Sequence, residues 1–169
     1  CRQIQSAADA RGYPLSVIGV PKTVDNDIVL TDCCPGFGSA AKYLATSIRE
    51  VGLDLHAMTT GSGRAFVLEV MGRNAGWLAA ACALAAEDDD AAPHLILLPE
   101  VAFDEAAFLV RVKEVVERLG SCAIVVAEGV RGQDGQVLSM QDRNQKGYIQ
   151  LGGAGEVIAE RIHACLGYK

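Results

Sequence analysis

The order of apolar runs along the chain predicts an α/β fold, a three-layer arrangement in which a mainly parallel sheet carries helices on both faces. Three observations point there. Short aliphatic runs alternate with stretches whose apolar residues recur at helical spacing. Half of the 169 residues are hydrophobic but only 5% are aromatic, so the core must be built from Val, Leu, Ile and Ala. The aliphatic runs also end in charge, as strands do when an open α/β sheet presents ligand-binding groups at its carboxyl edge.

Taken in order, residues 1–12 read as the last turns of a helix, with Ile4, Ala7 and Ala8 on one face and Gly12 as its C-cap. Residues 17–20 are an aliphatic run, read as a buried strand that stops at Pro21 and empties into Lys22-Thr23-Val24-Asp25-Asn26-Asp27. Residues 31–35 continue the loop. Residues 36–51 form a helix with Ala40, Ala41, Leu44, Ile48 and Val51 on its buried face, closed by Gly52. Residues 65–70 form a strand running into Met71-Gly72-Arg73, with Asn74 as N-cap of a helix over 75–86. An acidic surface turn at 87–90 precedes a third strand at 94–98, which ends at Pro99-Glu100. Asp104 caps a helix through Leu119, with Phe108, Val112, Val115 and Leu119 as its stripe. A fourth strand, 122–127, ends at Glu128-Gly129. A polar loop or hairpin over 129–146 then leads to a last helix at 153–166.

Composition excludes several classes. A net charge of −6 argues against nucleic acid, whose affinity depends on neutralising phosphates with Lys and Arg. The six cysteines form no Cys-x-x-Cys pair, and Cys82 and Cys122 sit inside apolar runs, as reduced core residues do. His56, His94 and His163 lack the spacing of metal ligands, so no metal site of this chain's own is expected. No stretch approaches the roughly 18 apolar residues of a membrane span, and no signal peptide pattern opens the chain. A cytoplasmic protein is the expectation. The first residue is Cys1 rather than methionine, which reads as an interior segment.

The chemistry concentrates past the strand ends. Asp25 and Asp27 lie two residues apart with Lys22 just before them, enough for a general base and a cation that holds an anion. The same residues would also serve an ordinary loop with Asx-turns, and spacing alone does not choose between the two. Arg73 and Glu128 follow two further strands. Convergence of these ends predicts one crevice lined by two aspartates, a glutamate and two cations, suited to a polyhydroxy anion such as a sugar phosphate. Gly36-Phe37-Gly38-Ser39-Ala40-Ala41 fits G-x-G-x-x-A, but no strand leads into it, so helix entry explains its glycines better than a dinucleotide site.

Pro21-Lys22-Thr23-Val24-Asp25-Asn26-Asp27 resembles the catalytic loop of the phosphofructokinase family. Its lysine, where many ATP-dependent members have glycine, resembles the pyrophosphate-dependent branch. Glu69-Val70-Met71-Gly72-Arg73 resembles the family's sugar-phosphate-binding strand end, and the 123–129 stretch resembles the strand presenting its substrate glutamate. The three motifs keep family order, and the similarity runs along nearly the whole chain.

The resemblance implies phosphoryl transfer from pyrophosphate to the 1-hydroxyl of fructose 6-phosphate, giving fructose 1,6-bisphosphate. It implies Asp25 as the base for that hydroxyl and Asp27 as its supporting carboxylate. Lys22 would steady the transferring phosphoryl group, with Thr23 and the Val24 backbone touching the reacting region. Met71, Gly72 and Arg73 would hold the sugar phosphate, and Glu128 would accept hydrogen bonds from sugar hydroxyls. Arg64 falls where the family places a cation that reaches a neighbouring subunit's substrate phosphate, which implies a homo-oligomer. Tyr148 opens a stretch, through Gly153, resembling a late motif whose histidine or tyrosine contacts the sugar phosphate. Many relatives have arginine where Leu151 stands here.

Each assignment has a plainer alternative: Arg73 and Glu128 in loop salt bridges, Met71 and Tyr148 as packing residues, Arg64 at a loop tip. The family's glycine-rich donor loop is expected before residue 1, so Mg2+ is implied as cofactor with its ligand outside this chain. Residues 1–35 would then belong with a donor-binding domain and residues 36–169 with an incomplete sugar-phosphate domain, and the isolated chain is expected to transfer phosphate poorly. Alternative functions are an ATP-dependent 6-phosphofructokinase or a non-catalytic chain that binds sugar phosphate.

Overall fold

The computed structural model describes residues 1–58, 63–138, 142–143, 149–150 and 153–169, the two short middle pairs by their backbone alone. Its elements are α1 (Arg2–Asp9), α2 (Phe37–Ala57), β1 (Arg64–Val70), α3 (Trp77–Ala81) running into a 3-10 turn (Cys82–Ala85), β2 (Leu95–Leu97), α4 (Glu105–Leu119), β3 (Ser121–Ala127), β4 (Asp142–Arg143), β5 (Ile149–Gln150) and α5 (Ala154–Leu166).

Three of these strands form a parallel sheet in the order β1-β3-β2. β3 is central, and all seven of its residues are buried, as expected for a parallel strand covered on both faces. On one face α4 and α5 pack against each other and the sheet; on the other lie α2 and α3 with its 3-10 turn. The three-layer α/β expectation therefore holds. Ile48, Leu78, Val112, Ile124, Val125, Val126, Ile158 and Ile162 are almost fully enclosed between the layers, an aliphatic core of the kind the composition requires. Burial pushes the Cys82 thiol up to about 11 and Cys122 up to about 12, so both pack as small inert residues. Among the described residues no helix is long and apolar enough to cross a membrane.

Several boundaries differ from the sequence expectation. Residues 17–20 are not a sheet strand: they have no ladder partner among the described residues, and Ile18 is 85% exposed. Aliphatic character makes a strand possible, but a ladder also needs a neighbour, and here none of the described strands lies alongside. α1 buries only Ala8, leaving Ile4 exposed, and the chain reverses at Gly12 with φ +63°. Gly52 does not close α2, which continues to Ala57; a Cβ there would collide with the Cβ of Ala92, so the glycine allows a close approach. Asn74 does not cap α3. That helix starts after Gly76, whose N–H donates to the Glu100 carboxylate at 2.8 Å.

Other expectations hold. Asp104 caps α4, accepting from the Ala107 N–H at 3.0 Å, and Phe108, Val112 and Val115 are buried on its inner side. His94 lies just ahead of β2 and prolongs its ladder. Its backbone N–H donates to the Ala123 carbonyl and its Nδ1 accepts from the Ala123 N–H, both at 2.8 Å. The acidic turn at 87–90 is exposed and pairs with the helices beside it, through Arg49–Glu87 and Arg118–Asp90. Within the polar stretch after β3, Arg131 and Val137 form an antiparallel bridge, and β4 pairs antiparallel with β5, which lies beyond the expected 129–146 range.

Candidate functional site

β1 and β3 end side by side, and their ladder continues past the last paired residues. The Glu128 N–H donates to the Val70 carbonyl at 2.9 Å, and the Gly129 N–H to the Gly72 carbonyl at 3.2 Å. Glycine is required at both turns. Gly72 adopts φ +141°, and a Cβ at Gly129 would run into the Arg73 backbone. The close approach sets Arg73 directly beside Glu128. Loop closure at this rim therefore follows from two glycines, each placed two residues after the end of its strand.

The Lys22–Asp27 stretch reaches the same rim by another route. Val24 packs against the core, while Asp25, half-buried, receives the Thr23 hydroxyl as an acceptor for its own N–H at 3.1 Å. Asn26 is buried with φ +58°, a conformation asparagine tolerates better than most residues. Its side chain donates to the Asp32 carbonyl at 3.2 Å and accepts from the Cys34 N–H at 2.8 Å. Val20, Pro21, Lys22, Thr23, Val24, Pro35 and Met71 together line a cavity of about 500 Å³.

The charges at the rim feel one another. Burial pushes the Asp25 carboxyl up, as does the negative charge of Asp27, while the Arg73 guanidinium and the Thr23 hydroxyl pull it down. Burial also raises Glu128, opposed by a hydrogen bond from the Gly72 N–H and by Arg73, with Asp25 and Glu69 adding to the rise. Asp25, Asp27, Arg73 and Glu128 thus share one electrostatic neighbourhood, although only Arg73 and Glu128 follow sheet strands. Asp25 Oδ1 is buried without a hydrogen-bond partner among the described residues. A buried carboxylate oxygen left open in this way is a place for a ligand's hydroxyl to donate.

One candidate falls elsewhere. Arg64 begins β1, at the opposite edge of the sheet, about 20 Å of strand away from the rim. It donates to the Met58 carbonyl at 3.1 Å. Tyr148 and Leu151 lie outside the described residues. Sequence reasoning missed two contributors. One is Asn26, and the other is Glu69, whose carboxylate accepts from the Gly153 N–H at 3.2 Å and the Gly155 N–H at 2.8 Å. Glu69 thereby ties β1 to the start of α5, where a negative charge is favoured. A carboxylate inside the otherwise apolar stretch 65–70 was the available signal for it.

The sequence matches the Phosphofructokinase family over residues 1–169. The chain belongs to that family. It is 50% identical over 169 residues to a pyrophosphate–fructose 6-phosphate 1-phosphotransferase of Xanthomonas campestris, covering 99% of this chain and 40% of the relative. Against the enzyme of that name from Halomonas elongata it is 49% identical over 170 residues, covering 100% of this chain and 41% of the relative. Among solved structures, a pyrophosphate-dependent phosphofructokinase from Marinobacter aquaeolei superposes with a TM-score of 0.84 at 43% identity, covering 99% of this chain and 38% of that one. The chain thus spans about 40% of the length of the curated relatives it matches. No dinucleotide site is needed to explain Gly36, which caps α2 with φ +90° and follows a loop.

Proposed function

We propose that the protein carrying this chain transfers a phosphoryl group from pyrophosphate to the 1-hydroxyl of fructose 6-phosphate, giving fructose 1,6-bisphosphate. The observation that carries the reading is the open Asp25 Oδ1, buried beside Arg73 and Glu128. Asp25 takes the proton of the 1-hydroxyl, and its raised pKa makes it a stronger proton acceptor than an ordinary aspartate once ionised. Asp27 is its supporting carboxylate. Lys22 steadies the transferring and departing phosphates, with Thr23 and the Val24 backbone against the reacting region. Met71, Gly72 and Arg73 hold the sugar phosphate, and Glu128 accepts from its hydroxyls. Such transfer is largely positioning and charge stabilisation, for which a rigid strand edge with aimed cations is suited.

Tyr148 contacts the sugar phosphate in this reading, and Arg64, far from its own rim, serves the site of a neighbouring copy in a cytoplasmic homo-oligomer. Residues 1–35 go with the donor side and 36–169 with the sugar-phosphate side. Mg2+ is the cofactor implied by the family. Among the described residues no three His, Cys, Asp or Glu side chains converge to hold a metal ion, so no step is assigned to a metal bound by this chain.

The donor is supported by Lys22 and by the names of the relatives. The full-length protein, assayed with fructose 6-phosphate and either pyrophosphate or ATP, is expected to form fructose 1,6-bisphosphate with pyrophosphate. Preference for ATP would overturn the donor; no transfer with either would overturn the reading.

A further inference from the structure

Between the two aspartates stands a residue with no reactive group of its own. Asn26 is one of only two non-glycine residues at positive φ among those described, and it is 7% exposed. Its amide spans the loop by donating to the Asp32 carbonyl and accepting from the Cys34 N–H. Cys34 in turn accepts through its carbonyl from the Phe37 N–H at 3.1 Å, at the first turn of α2. A Cβ at Gly36 would sit 3.2 Å from Val24 Cγ1, so the start of α2 and the Asp25 loop are already in contact on the other side. The loop is therefore gripped twice, by Val24 against the core and Gly36, and by Asn26 against residues 32–34.

We infer that Asn26 is a positioning residue, whose left-handed backbone and two amide hydrogen bonds hold Asp25 turned into the rim while Asp27 faces out toward solvent. The inference rests on the proposed role of Asp25 as base. An extended backbone at position 26 would send the following residue in another direction. Loss of the amide would leave the Cys34 N–H and the Asp32 carbonyl without those partners. With the grip released, Asp25 exchanges its half-buried place for water. Misplacing a base by about 1 Å can reduce turnover on the order of a hundredfold.

The test is made on the full-length protein, with Asn26→Ala and Asn26→Gly beside wild type. Asn26→Ala is expected to lower kcat about 10–100-fold while KM for fructose 6-phosphate changes less than about threefold. Asn26→Gly accepts the positive φ but lacks the amide, and should fall between Ala and wild type. The acid limb of kcat/KM should move to lower pH in Asn26→Ala, because an Asp25 returned to water loses the burial that raises it. A kcat and an acid limb both unchanged in Asn26→Ala overturn the inference. So does activity that falls only in step with the folded fraction, with the acid limb in place. Wild-type protein that transfers no phosphate counts against the functional reading instead. The clasp is then decided by hydrogen exchange at the Cys34 amide, expected at least about tenfold faster in both variants; equal exchange overturns it.

Discussion

Two aliphatic runs of similar make-up, residues 17–20 and β3, lead to the same rim under opposite conditions. Each is rich in Val and Ile, and each is followed closely by a carboxylate of the site. β3 has a ladder on both sides and every residue buried, whereas Ile18 and Val20 are 85% and 72% exposed. Nevertheless the carboxyl groups they deliver, Asp25 and Glu128, are both half-buried, both pushed up by burial, and both within reach of Arg73. The strand is therefore not what places the carboxylate. What places it is the clasp just beyond: the Glu128 and Gly129 N–H groups on the Val70 and Gly72 carbonyls in one case, and the Thr23 hydroxyl and Asn26 amide in the other.

The largest effect should come from the shared part, the carboxylates. In the full-length protein, Asp25→Ser is expected to lower kcat by about 10²–10⁴-fold, the usual contribution of a positioned base. Fructose 6-phosphate binding, followed by calorimetry, should remain within a few fold. Lost binding with intact turnover would reverse the roles assigned to Asp25 and its neighbours.

Next is the part in which the runs differ. Ile124 is fully buried at the middle of β3, between both helix layers. Ile124→Ala should cost about 2–5 kcal/mol of stability, from lost burial and the cavity left behind. Urea unfolding of the 169-residue chain measures it, and a loss below about 1 kcal/mol would mean that β3 is not the centre of the core.

This contrast also explains what could be read from the sequence. Helix stripes such as Phe108-Val112-Val115 and caps such as Asp104 are local, so spacing alone locates them. The meeting of Arg73 and Glu128 was legible because strand direction follows from alternation, whereas Asp25 joins them without a sheet strand ahead of it. Residues 17–20 were misread because burial depends on neighbours that a run of aliphatic residues does not specify. Gly52 and Asn74 misled for a related reason: one looks like a helix end and the other like an N-cap, but the close approach of Ala92 and the Glu100 carboxylate are tertiary facts. Asn26 and Glu69 were missed because their partners, at 32–34 and 153–155, become visible only once the chain is folded.

A smaller effect tests whether the two carboxylates are held against their own preference. Asp25 and Glu128 have folded pKa values raised above 3.8 and 4.5, so the folded chain binds these protons more tightly than the unfolded chain. Their contribution to stability is full below those unfolded values and is lost as pH rises through the folded ones. At pH 7 Asp25→Asn should therefore raise Tm, by a few degrees at most, while its advantage should vanish below pH 3.8. A Tm lowered at pH 7 would mean that ionised Asp25 gains more from Arg73 than it loses to burial.

The smallest effect is expected at Ile18. An exposed side chain without a ladder partner has little burial to lose, so Ile18→Ala in the 169-residue chain should change stability by less than about 0.5 kcal/mol. The same substitution in the full-length protein sharpens the comparison. A cost there approaching that of Ile124→Ala would show that residues 17–20 acquire neighbours outside residues 1–169, making the two runs equivalent after all. An equally small cost would leave the Asp25 loop held by Val24, Gly36 and the Asn26 clasp, with the run ahead of it acting as a tether.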